Sequence, residues 1–221
     1  MITEVSIKHF LIFCFISLPR NLRPVRSYNV IISTMKCAGF VLAGGKSSRM
    51  GCDKALLPFK GITLLEHVAA QVHQAAGNVT LVGNPARYSN FSYPVIGDIY
   101  PARGPLSGIH TALAASREDW NLIVACDMPE VTAAFLTKMI ERAERGNAHA
   151  VIPAGPSGLP EPLCAAYSRL ALEVIAHALE RNIHKVMDGL MGLEIDLWRV
   201  PDSGQFHNLN TPAEWTGYCH G

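Results

Sequence analysis

The chain has 221 residues, 49 % of them hydrophobic and 17 % charged, which is ample for one α/β domain with a sizeable core and too apolar for a disordered chain. Lys and Arg (19) nearly cancel Asp and Glu (18), so no bulk positive field points to nucleic acid or to an anionic membrane. The six cysteines and nine histidines show neither a C-x-x-C pair nor ligand spacing, which argues against zinc and for packed, reduced thiols in a cytoplasmic setting.

Residues 1–34 stand apart. Phe10 to Leu18 (FLIFCFISL) is strongly apolar but far shorter than the roughly 20 residues of a spanning helix. A lysine precedes it, as in a secretory signal, yet Pro19 and Arg20 follow where a small-x-small cleavage site would be needed. The expectation is a non-conforming extension, with a start assigned upstream of Met35. An anchor or export signal is the alternative. The domain proper is then 35–221.

From Cys37 onward the pattern alternates strand and helix. Phe40-Val41-Leu42-Ala43 is a short apolar run ending in Gly44-Gly45, as a buried parallel strand ends. Thr63-Leu64-Leu65-Glu66 has capping-box spacing and opens a helix with Leu64, Leu65, Val68, Ala69 and Val72 on its apolar face. Val79 to Val82 reads as a strand stopped by Gly83-Asn84-Pro85, and Pro94-Val95-Ile96 as a shorter one ending in Gly97-Asp98. A helix is expected from Pro105 to about Ser116, then a buried strand over Asn121–Ala125 closed by Cys126-Asp127-Met128-Pro129. Thr132 to Arg145 is amphipathic, with Phe135, Leu136, Met139 and Ile140 inward. Strands over Ala148–Ile152 and Leu163–Tyr167, helices over Arg169–Glu180 and Lys185–Leu190, and a late strand over Glu194–Val200 complete the run. Thr211-Pro212-Ala213-Glu214 is a second capping box, with proline at the first helical position. The expected fold is α/β: a doubly wound, mostly parallel sheet with helices on both faces, which binds ligands at the carboxyl ends of its strands.

Chemistry concentrates at those ends. The first strand runs into Leu42-Ala43-Gly44-Gly45-Lys46-Ser47-Ser48-Arg49-Met50-Gly51-Cys52-Asp53-Lys54. Its glycines let the backbone turn sharply and present N–H groups to a polyphosphate, while Arg49 and Lys54 neutralise phosphate charge from two sides. Gly45-Lys46-Ser47 imitates the end of a Walker A loop, but that motif requires a glycine where this chain has Phe40 inside the strand. A Walker-type NTPase therefore fails on spacing. Asp127, just past the most buried strand, is placed to hold Mg²⁺ against nucleotide phosphates; the alternative is a cap for the helix after Pro129. Asp98 closes another strand on the same edge, as an acceptor for a base or as an ordinary Gly-Asp turn.

The loop is similar to the L-A-G-G-x-S-x-R-M-G-x-D-K signature of molybdopterin nucleotidyltransferases, within the sugar-nucleotidyltransferase-like superfamily. Further segments match in order: Gly104-Pro105-Leu106-Ser107-Gly108-Ile109, Ala125-Cys126-Asp127-Met128-Pro129, Glu161-Pro162-Leu163 and Phe206-His207-Asn208-Leu209-Asn210-Thr211-Pro212. The resemblance spans roughly residues 37–215 and is closest to the molybdenum cofactor guanylyltransferases. It implies nucleotide binding by Leu42, Ala43, Gly44, Gly45, Lys54, Asp98 and Asp127. It also implies catalytic roles for Lys54, Arg49 and Asp127, and Mg²⁺ on Asp127. Glu161, Asn208 and Asn210 resemble positions near the pterin, with turn and cap hydrogen bonds an equal reading for the asparagines. The implied reaction is Mg²⁺-dependent transfer of GMP from GTP to the terminal phosphate of molybdenum-bound molybdopterin. Molybdoenzyme apoproteins or their chaperones are the implied protein partners, and neither nucleic acid nor membrane is implied. Val82 departs from the asparagine common in relatives, leaving Asn84 as a substitute, and around Asn182-Ile183-His184-Lys185 paired arginines are missing. The rivals are a cytidylyltransferase acting on the same pterin, a sugar-phosphate nucleotidyltransferase and a non-catalytic nucleotide or pterin carrier.

Overall fold

The computed structural model describes residues 37–44, 53–202 and 204–206. The described chain begins with β1 (Cys37–Ala43) and a 3₁₀ turn over Lys54–Leu56, followed by a hairpin of β2 (Pro58–Phe59) and β3 (Ile62–Thr63). Then come α1 (Leu64–Ala76), β4 (Thr80–Gly83), α2 (Pro85–Tyr88), β5 (Val95–Ile96), α3 (Pro105–Ala115) and β6 (Trp120–Ala125). The remainder is α4 (Ala133–Arg145), β7 (Ala150–Ala154), β8 (Cys164–Ser168), α5 (Ala171–Glu180), α6 (Val186–Gly189) and β9 (Ile195–Arg199).

Seven strands form the main sheet in the order β5-β4-β1-β6-β8-β7-β9. All neighbours run parallel except β8, which is antiparallel to both β6 and β7. The order reverses at β1, whose neighbours are β4 on one side and β6 on the other, and this is the switch point where α/β sheets bind ligands.

Period-two alternation sends successive side chains to opposite faces. Val41, Leu122 and Val124 pack with α1 and α4 in one core cluster, whereas Phe40, Leu42 and Ile123 pack with α3, α5 and α6 in the other. Helices therefore cover both faces, as expected. Each fully buried Leu or Val contributes about 1.5–3 kcal/mol, and α1 alone inserts Leu64, Leu65, Val68 and Val72 at complete burial. Its start is the expected capping box: Glu66 N donates to Thr63 Oγ1 (3.2 Å) and Thr63 N to Glu66 Oε2 (2.8 Å).

The differences from the sequence reading are local. β4 and β8 begin and end one residue later than expected. Neither the β2–β3 hairpin nor α2 was anticipated, because each is too short for periodicity to register. The capping box expected at Thr211 lies outside the described residues. No described helix is long and apolar enough to cross a membrane.

Candidate active site

β1 delivers Leu42, Ala43 and Gly44 to the switch point. Ala43 is fully buried, Gly44 is exposed, and Cys126 N donates to Leu42 O (3.2 Å), fastening the end of β1 to the segment after β6. Gly45 and Arg49 lie outside the described residues. The chain returns at Asp53, which caps the Lys54–Leu56 turn by accepting from Ala55 N (3.1 Å).

Lys54 and Asp127 meet here. Lys54 Nζ stands 3.9 Å from Asp127 Oδ2, with the side chains only 18 % and 26 % exposed. Burial raises the Asp127 carboxyl above the ordinary carboxylate range, and the Lys54 ammonium partly offsets that shift. Asp127 does not cap α4: Thr132 does, with its hydroxyl accepting from Phe135 N (3.3 Å). The capping alternative is therefore excluded, and the carboxylate remains on the crevice.

Glu161 approaches the same corner from the turn that enters β8. The β6–β8 pairing runs as far as Val124 with Cys164, and Cys164 N donates to Glu161 O (3.0 Å) in the turn before it. Leu163 O accepts from Ala125 N (2.7 Å), and Glu161 N donates to Pro153 O (2.9 Å), which holds the segment against the sheet. Burial first, and the Asp127 charge second, push the Glu161 carboxyl above its ordinary value. A second carboxylate thus lies within electrostatic reach of Asp127.

Asp98 occupies a different corner, beyond β5. Its Oδ1 accepts from Ser107 Oγ, from Thr111 Oγ1 (3.1 Å) and from Tyr100 N (3.3 Å), while Thr111 Oγ1 accepts from Ile99 N (2.9 Å). Ser107 and Thr111 lie one helical turn apart on α3 and are buried. Asp98 is thus built into the start of α3, which neither the base-acceptor nor the turn reading foresaw. α3 itself begins at Gly104, whose φ of +77° is a left-handed conformation that favours glycine. Arg103, just before it, is a strap: its Nη1 donates to Leu179 O (2.7 Å) and its guanidinium lies 5.9 Å from the Tyr100 ring centre.

Val82 is buried in β4 and presents nothing polar. Asn84 is exposed and caps α2, accepting from Ala86 N (3.0 Å). His207, Asn208 and Asn210 lie outside the described residues. Sequence reasoning gave no role to Arg87 and Tyr88, which bind the carboxylate of Asp53.

Mg²⁺ binds one or two carboxylates together with substrate phosphate oxygens rather than a full protein cage. Among the described residues no group of three or more His, Cys, Asp or Glu could hold a metal. Asp127, with Glu161 nearby, fits the sparse set that a phosphate-bridged Mg²⁺ requires.

Comparison with known proteins identifies the family. Residues 39–193 match the family model described as the MobA-like NTP transferase domain. The molybdenum cofactor guanylyltransferase of Xanthomonas euvesicatoria pv. vesicatoria is 35 % identical over 187 residues, covering 82 % of this chain and 94 % of the relative. That of Desulfosudis oleivorans is 34 % identical over 185 residues, covering 80 % and 91 %. The crystal structure of molybdopterin-guanine dinucleotide biosynthesis protein A from Archaeoglobus fulgidus superposes with a TM-score of 0.71 at 25 % identity, covering 83 % of this chain and 98 % of that one. With its switch-point crevice, its Lys54–Asp127 pair and these matches, the chain belongs to the MobA-like NTP transferase domain family.

Proposed function

We propose that this protein is a molybdenum cofactor guanylyltransferase, transferring GMP from GTP to the terminal phosphate of molybdenum-bound molybdopterin with release of pyrophosphate. The observation that carries the reading is the approach of Lys54 Nζ to Asp127 Oδ2, 3.9 Å apart, beside the end of β1 in a chain of this family.

The pterin phosphate is its own nucleophile. One of its oxygens forms a bond to the α-phosphorus of GTP as the bond to the pyrophosphate oxygen breaks. No covalent enzyme intermediate and no general base is required. Catalysis is positioning and electrostatic stabilisation. Leu42, Ala43, Gly44 and Gly45 carry the nucleotide at the strand end. Lys54 and Arg49 stabilise negative charge that grows on the α-phosphate and the leaving group. Asp127 holds Mg²⁺, which when bound neutralises phosphate charge as a Lewis acid. Asp98 accepts from guanine through the oxygen that Ser107 and Thr111 do not occupy. Glu161, Asn208 and Asn210 serve the pterin side.

The cytoplasm is the proposed compartment, in keeping with the free, buried thiols of Cys37, Cys126 and Cys164. Molybdoenzyme apoproteins or their chaperones are the proposed recipients of product. The test is pyrophosphate release from GTP, CTP or ATP by the purified chain with molybdenum-bound molybdopterin, with and without Mg²⁺. GTP-selective, Mg²⁺-dependent release is expected. Preference for CTP would overturn the guanylyl assignment, and undiminished release in chelator would overturn the metal.

A further inference from the structure

Asp53 lies where the glycine-rich loop ends, directly before Lys54, and all of its carboxylate is engaged. Oδ1 accepts from Ala55 N, 3.1 Å away, and so caps the turn that carries Lys54. Oδ2 accepts from Tyr88 Oη (2.9 Å) and from Arg87 Nη1 (3.0 Å), both from α2. The Tyr88 ring is buried, whereas the Arg87 side chain is 54 % exposed. Burial and the Asp53 charge both raise the Tyr88 phenol above its ordinary value, so it stays a protonated donor.

A second observation ties the same ring to the loop's other end. A Cβ at Gly83 would come within 2.2 Å of Ala43 O and 2.8 Å of Tyr88 Cε2. The end of β1 and the Tyr88 ring therefore both close on the space beside Gly83. α2 thus adjoins the end of β1 across Gly83 and is hydrogen-bonded to Asp53 at the loop's far end.

The electrostatics give this arrangement a purpose. A carboxylate one residue from a lysine is a natural competitor for its ammonium group. With Oδ2 taken by Tyr88 and Arg87, Asp53 competes less with Asp127 for the Lys54 ammonium. We propose that Tyr88, assisted by Arg87, is a positioning residue for Lys54, holding the exit of the nucleotide loop and keeping the ammonium group on the Asp127 side. This rests on the catalytic reading of Lys54.

The test is a double-mutant cycle on pyrophosphate release from GTP, with the full chain and molybdenum-bound molybdopterin. Tyr88→Phe keeps the ring and removes only the hydroxyl. It is expected to lower kcat roughly 10-fold while the KM for GTP stays within about twofold, as loss of an interaction made only in the transition state does. Lys54→Ala is expected to lower kcat roughly 10²-fold, and in that background Tyr88→Phe should cost less than about twofold, because the two act as a unit. Arg87→Gln, at an exposed position, should lower kcat about two- to threefold in wild type and not at all in Lys54→Ala. It carries the same cycle if Tyr88→Phe fails to fold. Equal losses in both backgrounds, or no loss in wild type, would overturn the proposal. An unchanged kcat in Lys54→Ala would overturn the reading of Lys54 itself, a result distinct from additivity.

Discussion

Asp127 and Asp98 share one sequence signature, an acidic residue just past a strand, and the fold treats them differently. Asp98 is tied down by Ser107, Thr111 and the Tyr100 backbone, so much of its hydrogen-bonding capacity goes to fixing the start of α3. Asp127 has Lys54 at 3.9 Å as an ion-pair partner, lies in a setting that raises its carboxyl, and is within electrostatic reach of Glu161. Satisfied carboxylates organise backbone. Partly desolvated ones beside a cation are prepared for a ligand that brings its own charge.

The sharpest way to break this contrast is Asp127→Asn. Turnover should fall by roughly 10³-fold or more, since an amide is a poor Mg²⁺ ligand and several kcal/mol of charge stabilisation are lost. Stability should not fall with it. The folded-state value of Asp127 is raised, so its contribution to stability is full below the unfolded value and is lost as pH rises through the folded one. At neutral pH in metal-free buffer the variant should melt no lower than wild type. Normal turnover at an unchanged melting temperature would remove Asp127 from the mechanism.

Asp98→Ala should show the opposite balance. A buried acceptor left unpaired by the wrong base costs about 1–3 kcal/mol, roughly 5- to 150-fold in discrimination. The GTP-over-CTP ratio should drop by a factor in that range, more than kcat does. Ser107 and Thr111 lose a partner, so the melting temperature should drop as well. An unchanged ratio with a lowered melting temperature would make Asp98 purely structural and pass base recognition to Asn84 and the Leu42–Gly44 backbone.

Glu161→Gln probes the neighbour of Asp127. Burial and the Asp127 charge raise the Glu161 carboxyl, so removing its charge should raise the melting temperature by about 2 °C or less at neutral pH. The gain should vanish below about pH 4, where a glutamate is protonated in either state. A gain independent of pH would show that packing is the cause.

The smallest effect is expected far from both aspartates. A chain beginning at Met35 should melt and turn over GTP as the full chain does, because β1 starts at Cys37 and its pairing partners β4 and β6 lie downstream. Loss of folding in that chain would give residues 1–34 a structural role.

The architecture was legible in the sequence wherever local physics decides it. A short apolar run such as LIVA, bounded by turn residues and too short for a helix, reads as a buried strand, and the Thr63–Glu66 capping box marks the start of α1 to the residue. The glycine-rich loop and the acidic strand ends were visible because phosphate and metal chemistry demand those residue types. Tertiary structure decided what local pattern cannot encode. An antiparallel β8 between parallel neighbours leaves no signature in a short apolar run, yet the turn that enters it brings Glu161 within electrostatic reach of Asp127, 34 positions away in the chain. The four-residue α2 is too short for periodicity, yet it supplies the donors that hold Asp53. Asp98 and Asp127 read alike as sequence because their partners are distant: Ser107 and Thr111 reach one only once α3 packs on the sheet, and Lys54 reaches the other only once β1 and β6 lie side by side. The sequence by itself determined which residues could do the chemistry. Which of them meet was left to long-range pairing, whose geometry depends on the whole sheet and on no single segment.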